Sequence, residues 1–260
     1  MWLLDRFLTP GVLRLGRRSA HLHGAWSALD NCNLAAPNAL ADKLAGLVTQ
    51  VPTANPWSAV LDSAWLPVTT LDTQQAWTSS EVKALALHRW ASLYGATVGT
   101  WKAQTLYLPG DARATVFGLP ELIKAQLDEA GRVQQRRLAS IQPACLWAWQ
   151  QAAPLRKKHP RGLMVWCEED RCIVGRYDSR QFSVLDPSAQ LPESWNELDQ
   201  LVRPHIGDVT PPILLMSWQP LPWAASMPGG HWGSHQGGPL ACVWLDHGAT
   251  TRSIVKGLAA

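Results

Sequence analysis

Two histidines four residues apart, His231 and His235, with His247 further on, come closest to a metal-binding pattern in this chain. On a helix that spacing sets both imidazoles on one face, as zinc requires. But Gly229, Gly230, Gly233, Gly237 and Gly238 crowd the same stretch and oppose a helix. The nearest acid is Asp246, and no carboxylate completes the set. We expect a flexible loop over 229–238 and no metal. His21 and His23 share a face of an extended segment, which is too few ligands for a site. Cys145 opens a helical stretch, where the helix dipole would lower its pKa; its neighbours Ala144, Leu146 and Trp147 point to an inert buried thiol. Asp62 follows a short apolar run, the place where carboxylates act in open α/β folds. Standing alone, it reads as a cap or turn residue. Glu168, Glu169 and Asp170 fill the turn between Cys167 and Cys172 and read as a solvated hairpin tip. The chain has no Walker phosphate loop, no Gly-x-Gly-x-x-Gly and no Gly-x-Ser-x-Gly elbow. No constellation would carry a reaction, so we expect no catalytic residue, no cofactor and no metal.

Composition narrows the classes further. The 260 residues are 47% hydrophobic and 17% charged, with a net charge of +3, which suits a folded core and not a nucleic-acid binder. Short basic clusters (Arg14, Arg17, Arg18; Arg132, Arg136, Arg137; Arg156, Lys157, Lys158, Arg161) read as solvated faces. Arg6 and the first cluster could also meet an anionic membrane surface. No apolar run is long enough to span a bilayer, the start resembles no signal peptide, and five irregularly spaced cysteines form no disulfide framework. The cytoplasm is the expected compartment. Fifteen Trp stand against three Tyr and three Phe. Most fall at core-like positions. Trp65, Trp77, Trp223 and Trp232 fall in loops or near turns and are the candidate partner-binding residues.

The elements that must position these groups follow from periodicity. Strands are expected over 11–16, 20–29, 57–61, 65–71, 98–108, 133–141, 163–167, 172–177, 181–185, 213–218 and 240–245. Helices are expected over 37–51, 79–94, 120–129 (stopped by Gly131), 144–153 and 193–206. The Pro- and Gly-rich stretch 219–239 reads as a long loop. No internal repeat stands out. A boundary at Pro143 gives two lobes, 1–143 with an inserted helix-strand subdomain and 144–260.

Three stretches carry a family resemblance. Ala59-Val-Leu-Asp-Ser-Ala-Trp65 resembles the strand and turn after a first helix. Leu87 to Gly95, with Trp101, resembles a helix running into a strand of an inserted subdomain. Ser140 to Trp149, running on to Gly162–Arg171, resembles an interlobe helix and the first hairpin of a second lobe. Together they resemble the actin-like (ribonuclease H-like) proteins of type IV pilus and type II secretion inner-membrane platforms, the PilM type and the cytoplasmic part of the GspL type. The resemblance implies a two-lobed α/β fold with mixed sheets flanked by helices. The stretch after Pro143 is short for it, so a truncated second lobe is expected. Members that bind ATP hold its phosphates in two glycine-containing hairpin turns. Here the first is Gly16-Arg-Arg-Ser19 and the second is Glu168-Glu-Asp170. Three carboxylates would repel a triphosphate, so the resemblance implies a pseudo-ATPase. By resemblance, the chain is a non-catalytic scaffold at the inner face of a bacterial inner membrane, and peripheral to it. Its partners would be a membrane-anchored platform protein, bound through a short cytoplasmic tail, and a secretion or assembly ATPase, with oligomerisation open. GspL-type membrane and periplasmic parts are missing, so a separate cytoplasmic subunit is expected. The competing readings are a metal- or nucleotide-dependent enzyme and a Trp-based peptide- or sugar-binding module.

Overall fold

A computed structural model describes residues 11–22, 25–29, 38–51, 56–73, 77–107, 111–178, 181–206, 210–225, 232–235 and 238–245. Three short strands, β1 (Gly11–Leu15), β2 (Ser19–Leu22) and β3 (Ala25–Ala28), form an antiparallel meander. The stretch expected as one strand over 20–29 is thus two. β4 (Trp57–Leu61) lies parallel to β1 and is buried at every position, as its unbroken apolar run requires. β8 (Leu138–Pro143) adds a further parallel strand, giving the order β3-β2-β1-β4-β8.

Helices α1 (Ala39–Val48) and α3 (Glu121–Val133) pack together beside this sheet. The buried stripe of α1 is Leu40, Ala41, Leu44, Leu47 and Val48. Each large side chain buried this way is worth about 1.5–3 kcal/mol. The α3 stripe includes one polar residue, Gln126, which is 3% exposed. Its Oε1 accepts the backbone N–H groups of Leu40 (3.1 Å) and Ala41 (2.9 Å). The first turn of α1 is therefore satisfied by a side chain far away in sequence, where Asn38 (φ 60°) offers no side-chain cap.

Gly131 does not stop α3, which runs on to Val133. A Cβ at Gly131 would stand 2.6 Å from the Arg136 carbonyl oxygen and 3.0 Å from the Trp57 indole nitrogen. The glycine is there for close approach, and the left-handed turn falls on Gln135 (φ 54°) instead.

Between β4 and α3 the chain inserts β5 (Val68–Asp72), α2 (Ser79–Tyr94), β6 (Lys102–Leu106) and β7 (Arg113–Leu119), with sheet order β5-β7-β6. α2 has its expected bounds. Thr78 and Glu81 cap it reciprocally: Glu81 Oε2 accepts Thr78 N–H at 2.7 Å, and Thr78 Oγ1 accepts Glu81 N–H at 3.3 Å. The strand expected over 98–108 is a 3-10 segment, Gly95–Thr100, followed by β6. β7 was not expected, although Ala114–Gly118 is fully buried.

The second sheet begins with the meander β9 (Gly162–Cys167), β10 (Arg171–Tyr177) and β11 (Phe182–Gln190). Helices α4 (Ala144–Gln151) and α5 (Ala153–Arg156) precede it. α6 (Trp195–Val202) follows, capped by the Ser194 hydroxyl accepting Glu197 N–H. β12 (Ile213–Ser217) and β14 (Gly238–Trp244) then lie parallel in turn to β9. One face buries Leu163, Val165, Val174, Leu215 and Cys242 with Leu198 and Val202 of α6. β13 (Trp232–His235) pairs antiparallel with β14, so the stretch 219–239 holds a strand and is no plain loop.

The second order, β11-β10-β9-β12-β14-β13, repeats the first strand for strand and adds one at the edge. The sequence showed no repeat, yet the topology is doubled. The sheet of the second lobe is not truncated. The shortening lies between β12 and β14, where the described residues form a 3-10 turn (Pro222–Ala224) and β13 in the place that α3 takes between β4 and β8.

The chain divides into two compact units. One comprises 1–68, 83–104 and 117–144; the other comprises 69–82, 105–116 and 145–260. The expected boundary at Pro143 lies one residue from the last crossing. Two segments of the insertion group with the second unit, where a simple cut would leave them in the first.

Candidate functional site

The doubled order puts two hairpin turns in equivalent places, β1–β2 and β9–β10. In the first, Gly16 N–H donates to the Ser19 carbonyl at 2.9 Å, and Arg17 and Arg18 are exposed. The Gly16 carbonyl accepts the Trp65 indole N–H at 2.6 Å, and the Arg18 carbonyl accepts Leu29 N–H at 2.7 Å. In the second, Glu168 N–H donates to the Arg171 carbonyl at 2.9 Å. Glu168 is buried, and Asp170 is ion-paired to Arg171 at 3.2 Å. This turn holds no glycine to bring backbone N–H groups close to an anion. It carries three carboxylates, of which Arg171 balances one, and a like charge 4 Å from a phosphate opposes it by about 1 kcal/mol even in water. The residues of the second turn do not fit a nucleotide triphosphate.

Asp62 is 1% exposed at the end of β4. Its backbone N–H donates to the Leu15 carbonyl, and its own carbonyl accepts from Trp65 and Leu66. Its carboxylate stands 3.9 Å from the Arg14 guanidinium, which is also buried. The residue turns the chain and pairs with a buried cation in the first sheet.

The four candidate partner-binding tryptophans are placed differently from one another. Trp65 is 8% exposed, with its N–H spent on Gly16, so its face is not offered to a partner. Trp77 is half-buried. Trp223 is half-buried and edge-on to Trp195, with ring centroids 4.8 Å apart. Trp232 lies in β13, and its side chain is outside the described set. Among tryptophans with described side chains, only Trp26, on the edge strand β3, is exposed (66%). Sequence reasoning missed it. Core placement holds for Trp57, Trp90, Trp166 and Trp218, and Trp147 stacks on Trp218 at 5.0 Å. This burial counts against a broad stacking platform.

The remaining chemistry-bearing groups are scattered. His235 is on a strand, not a helix, while His231 and His247 lie outside the described residues. His21 lies within 3.0 Å of the Ser19 hydroxyl, and His23 is outside the described residues. Among the described residues no three His, Cys, Asp or Glu side chains gather as metal ligands. Cys145, Cys167, Cys172 and Cys242 are buried free thiols. Burial pushes Cys172 and Cys242 up to about 12, and raises Cys167 well above the ordinary thiol value. No helix among the described residues is long and apolar enough to cross a membrane. A cavity at the far end of the second sheet, lined by Arg161 and Arg176, left no mark in the sequence spacing. Its walls come from separate segments that only the strand register joins.

The doubled meander-plus-parallel order, with helices beside mixed sheets, gives this chain an actin-like fold. No family model matches the sequence, and no curated protein does. Among solved structures, the PilM-PilN type IV pilus biogenesis complex shares the fold, with a TM-score of 0.50 and 11% identity over 80% of this chain and 81% of that one. The cytoplasmic domain of EpsL, an inner membrane component of the Vibrio cholerae type II secretion system, gives 0.48 at 13% identity, over 96% and 93%. A Bacteroides thetaiotaomicron protein with actin-like ATPase fold and unknown function gives 0.43 at 10% identity, over 85% and 86%. At these identities the likeness is one of fold.

Proposed function

We propose that this chain is a non-catalytic scaffold of a pilus- or secretion-type assembly platform, working at the cytoplasmic face of a bacterial inner membrane. The observation that carries the reading is the β9–β10 turn: glycine-free, with three acids, at the position equivalent to the cationic Gly16–Ser19 turn. An actin-like chain with such a turn is suited to holding proteins and not to hydrolysing a nucleotide. The fold shared with the PilM-PilN type IV pilus biogenesis complex supports a partner protein of an assembly platform; in this reading that partner is membrane-anchored and presents a short cytoplasmic tail. An assembly ATPase is the second partner in this reading.

The test has two arms on the purified chain. In the first, Mg-ATP is titrated while thermal unfolding and phosphate release are followed. The expected result is no saturable shift and no turnover, and either one overturns the non-catalytic assignment. In the second, the tagged chain is expressed with the products of its neighbouring genes. Recovery of a membrane protein whose cytoplasmic tail suffices for binding is expected. Recovery of none overturns the scaffold assignment.

A further inference from the structure

The second sheet carries a cavity at the end opposite the acidic turn. It measures about 470 Å³, within the ordinary range for small-ligand sites. Register explains how it forms. Gly162 at the start of β9 faces Tyr177 at the end of β10, which faces Phe182 at the start of β11. In the neighbouring row Leu163, Arg176 and Ser183 are partners. The segment 210–212 enters β12 beside them, and the 3-10 turn Arg203–His205 after α6 brings in His205.

The lining is rich in donors. Arg161 and Arg176 are exposed at the rim, and among the described residues neither is ion-paired to a carboxylate. The Arg176 guanidinium donates to the His205 carbonyl, at a long 3.5 Å. Ser183 and Thr210 add hydroxyls. Tyr177 is 1% exposed, so its hydroxyl is enclosed beneath the lining and adds no donor to the cavity. Gly162 allows the close packing beneath the cavity floor, because a Cβ would stand 2.7 Å from the Tyr177 oxygen and 2.3 Å from the Pro212 carbonyl oxygen.

One acid, Asp178, also lines the cavity. Its Oδ1 already accepts Gln181 N–H at 2.8 Å. Burial holds His205 below the ordinary histidine value; Asp186 opposes this, while Arg113 and Arg176 add to it. The balance at the mouth is cationic.

We propose that this cavity binds a small organic phosphate. Two guanidinium forks and the Ser183 and Thr210 hydroxyls match the many acceptor sites of a phosphate monoester better than the two oxygens of a carboxylate. Leu163, Pro211 and Pro212 offer an apolar wall for the organic body. The site is separate from the acidic turn, and it stands whether or not the scaffold reading does.

The test uses the full chain with glycerol 3-phosphate and inorganic phosphate, in thermal unfolding and in ³¹P NMR line broadening. Saturable stabilisation and broadening at concentrations up to about 10 mM are expected, with glycerol 3-phosphate tighter than inorganic phosphate and acetate inert. Arg161→Ala/Arg176→Ala is expected to weaken binding at least about tenfold. Both side chains are exposed, so the unliganded variant should melt with the parent. If it does not fold, Arg161→Gln alone carries the comparison, with a weakening of several-fold. No saturable response, equal binding by the variants, or an equal response to acetate overturns the proposal.

Discussion

Replacing Gln126 by leucine removes one acceptor and strands two donors. The Leu40 and Ala41 N–H groups point at Gln126 Oε1, and both residues are 2% exposed or less. They belong to the first turn of α1, so no carbonyl within the helix can replace the lost partner. An unsatisfied buried donor is unfavourable by about 1–3 kcal/mol, which puts the pair at about 2–6 kcal/mol. Leucine fills similar volume and recovers part of this through apolar burial, leaving a net loss of about 3 kcal/mol. For a chain of this size that is a fall of about 6–12 °C in Tm. The assay is urea unfolding followed by tryptophan fluorescence. The midpoint should fall at unchanged slope, and Gln126→Ala should fall at least as far. A Gln126→Leu variant within about 0.5 kcal/mol of the parent would refute the reasoning, because the two donors would then be satisfied some other way.

Three further outcomes follow from the geometry. Asp62→Ala leaves the Arg14 guanidinium buried without its carboxylate and should lose about 3 kcal/mol, while Arg14→Met/Asp62→Ala should lose less than the sum of its single variants in the same urea assay. Glu81 titrates below the ordinary carboxylate value because it accepts the backbone N–H and then the hydroxyl of Thr78. The cap's contribution is therefore present above the unfolded pKa and lost as pH falls through the folded one, so acid should narrow the stability gap between the parent and Glu81→Gln. The thiols of Cys145, Cys167, Cys172 and Cys242 are buried, so a disulfide-exchange reagent at pH 8 should titrate at most one of the five cysteines before denaturant is added. Rapid release of more than one equivalent contradicts that burial.

Strong local signals survived folding and weak ones did not. Trp57–Leu61 and Ser79–Tyr94 have the bounds the sequence predicts; the first is an unbroken apolar run, and in the structure the Thr78–Glu81 cap fixes the start of the second. β7 was missed because its short run ends in Gly118-Leu-Pro, which reads as a break. Gly118 is there because the Trp90 and Trp101 rings lie 2.8–3.0 Å from where its Cβ would be. At Gly131 a stop signal was read where close packing was the cause. Over 219–239 the glycines and prolines outweighed a strand that exists only through pairing with β14. The acidic turn was legible because it is contiguous in sequence. The phosphate cavity was not, because Arg161, Arg176, His205 and Thr210 come together only through register.

β13 has a consequence for how the molecule survives at high concentration. It covers the outer edge of β14, whose Gly238–Trp244 run is apolar and almost wholly buried. An uncovered strand of that kind is a template for adding another chain. Four residues that include Gly233, with Gly233 and Ser234 exposed, make a short and weakly sticky final edge. A chain lacking 226–237 would keep its inner strands yet present the bare β14 ladder to solvent, and its fate would be set by self-association rather than by loss of fold.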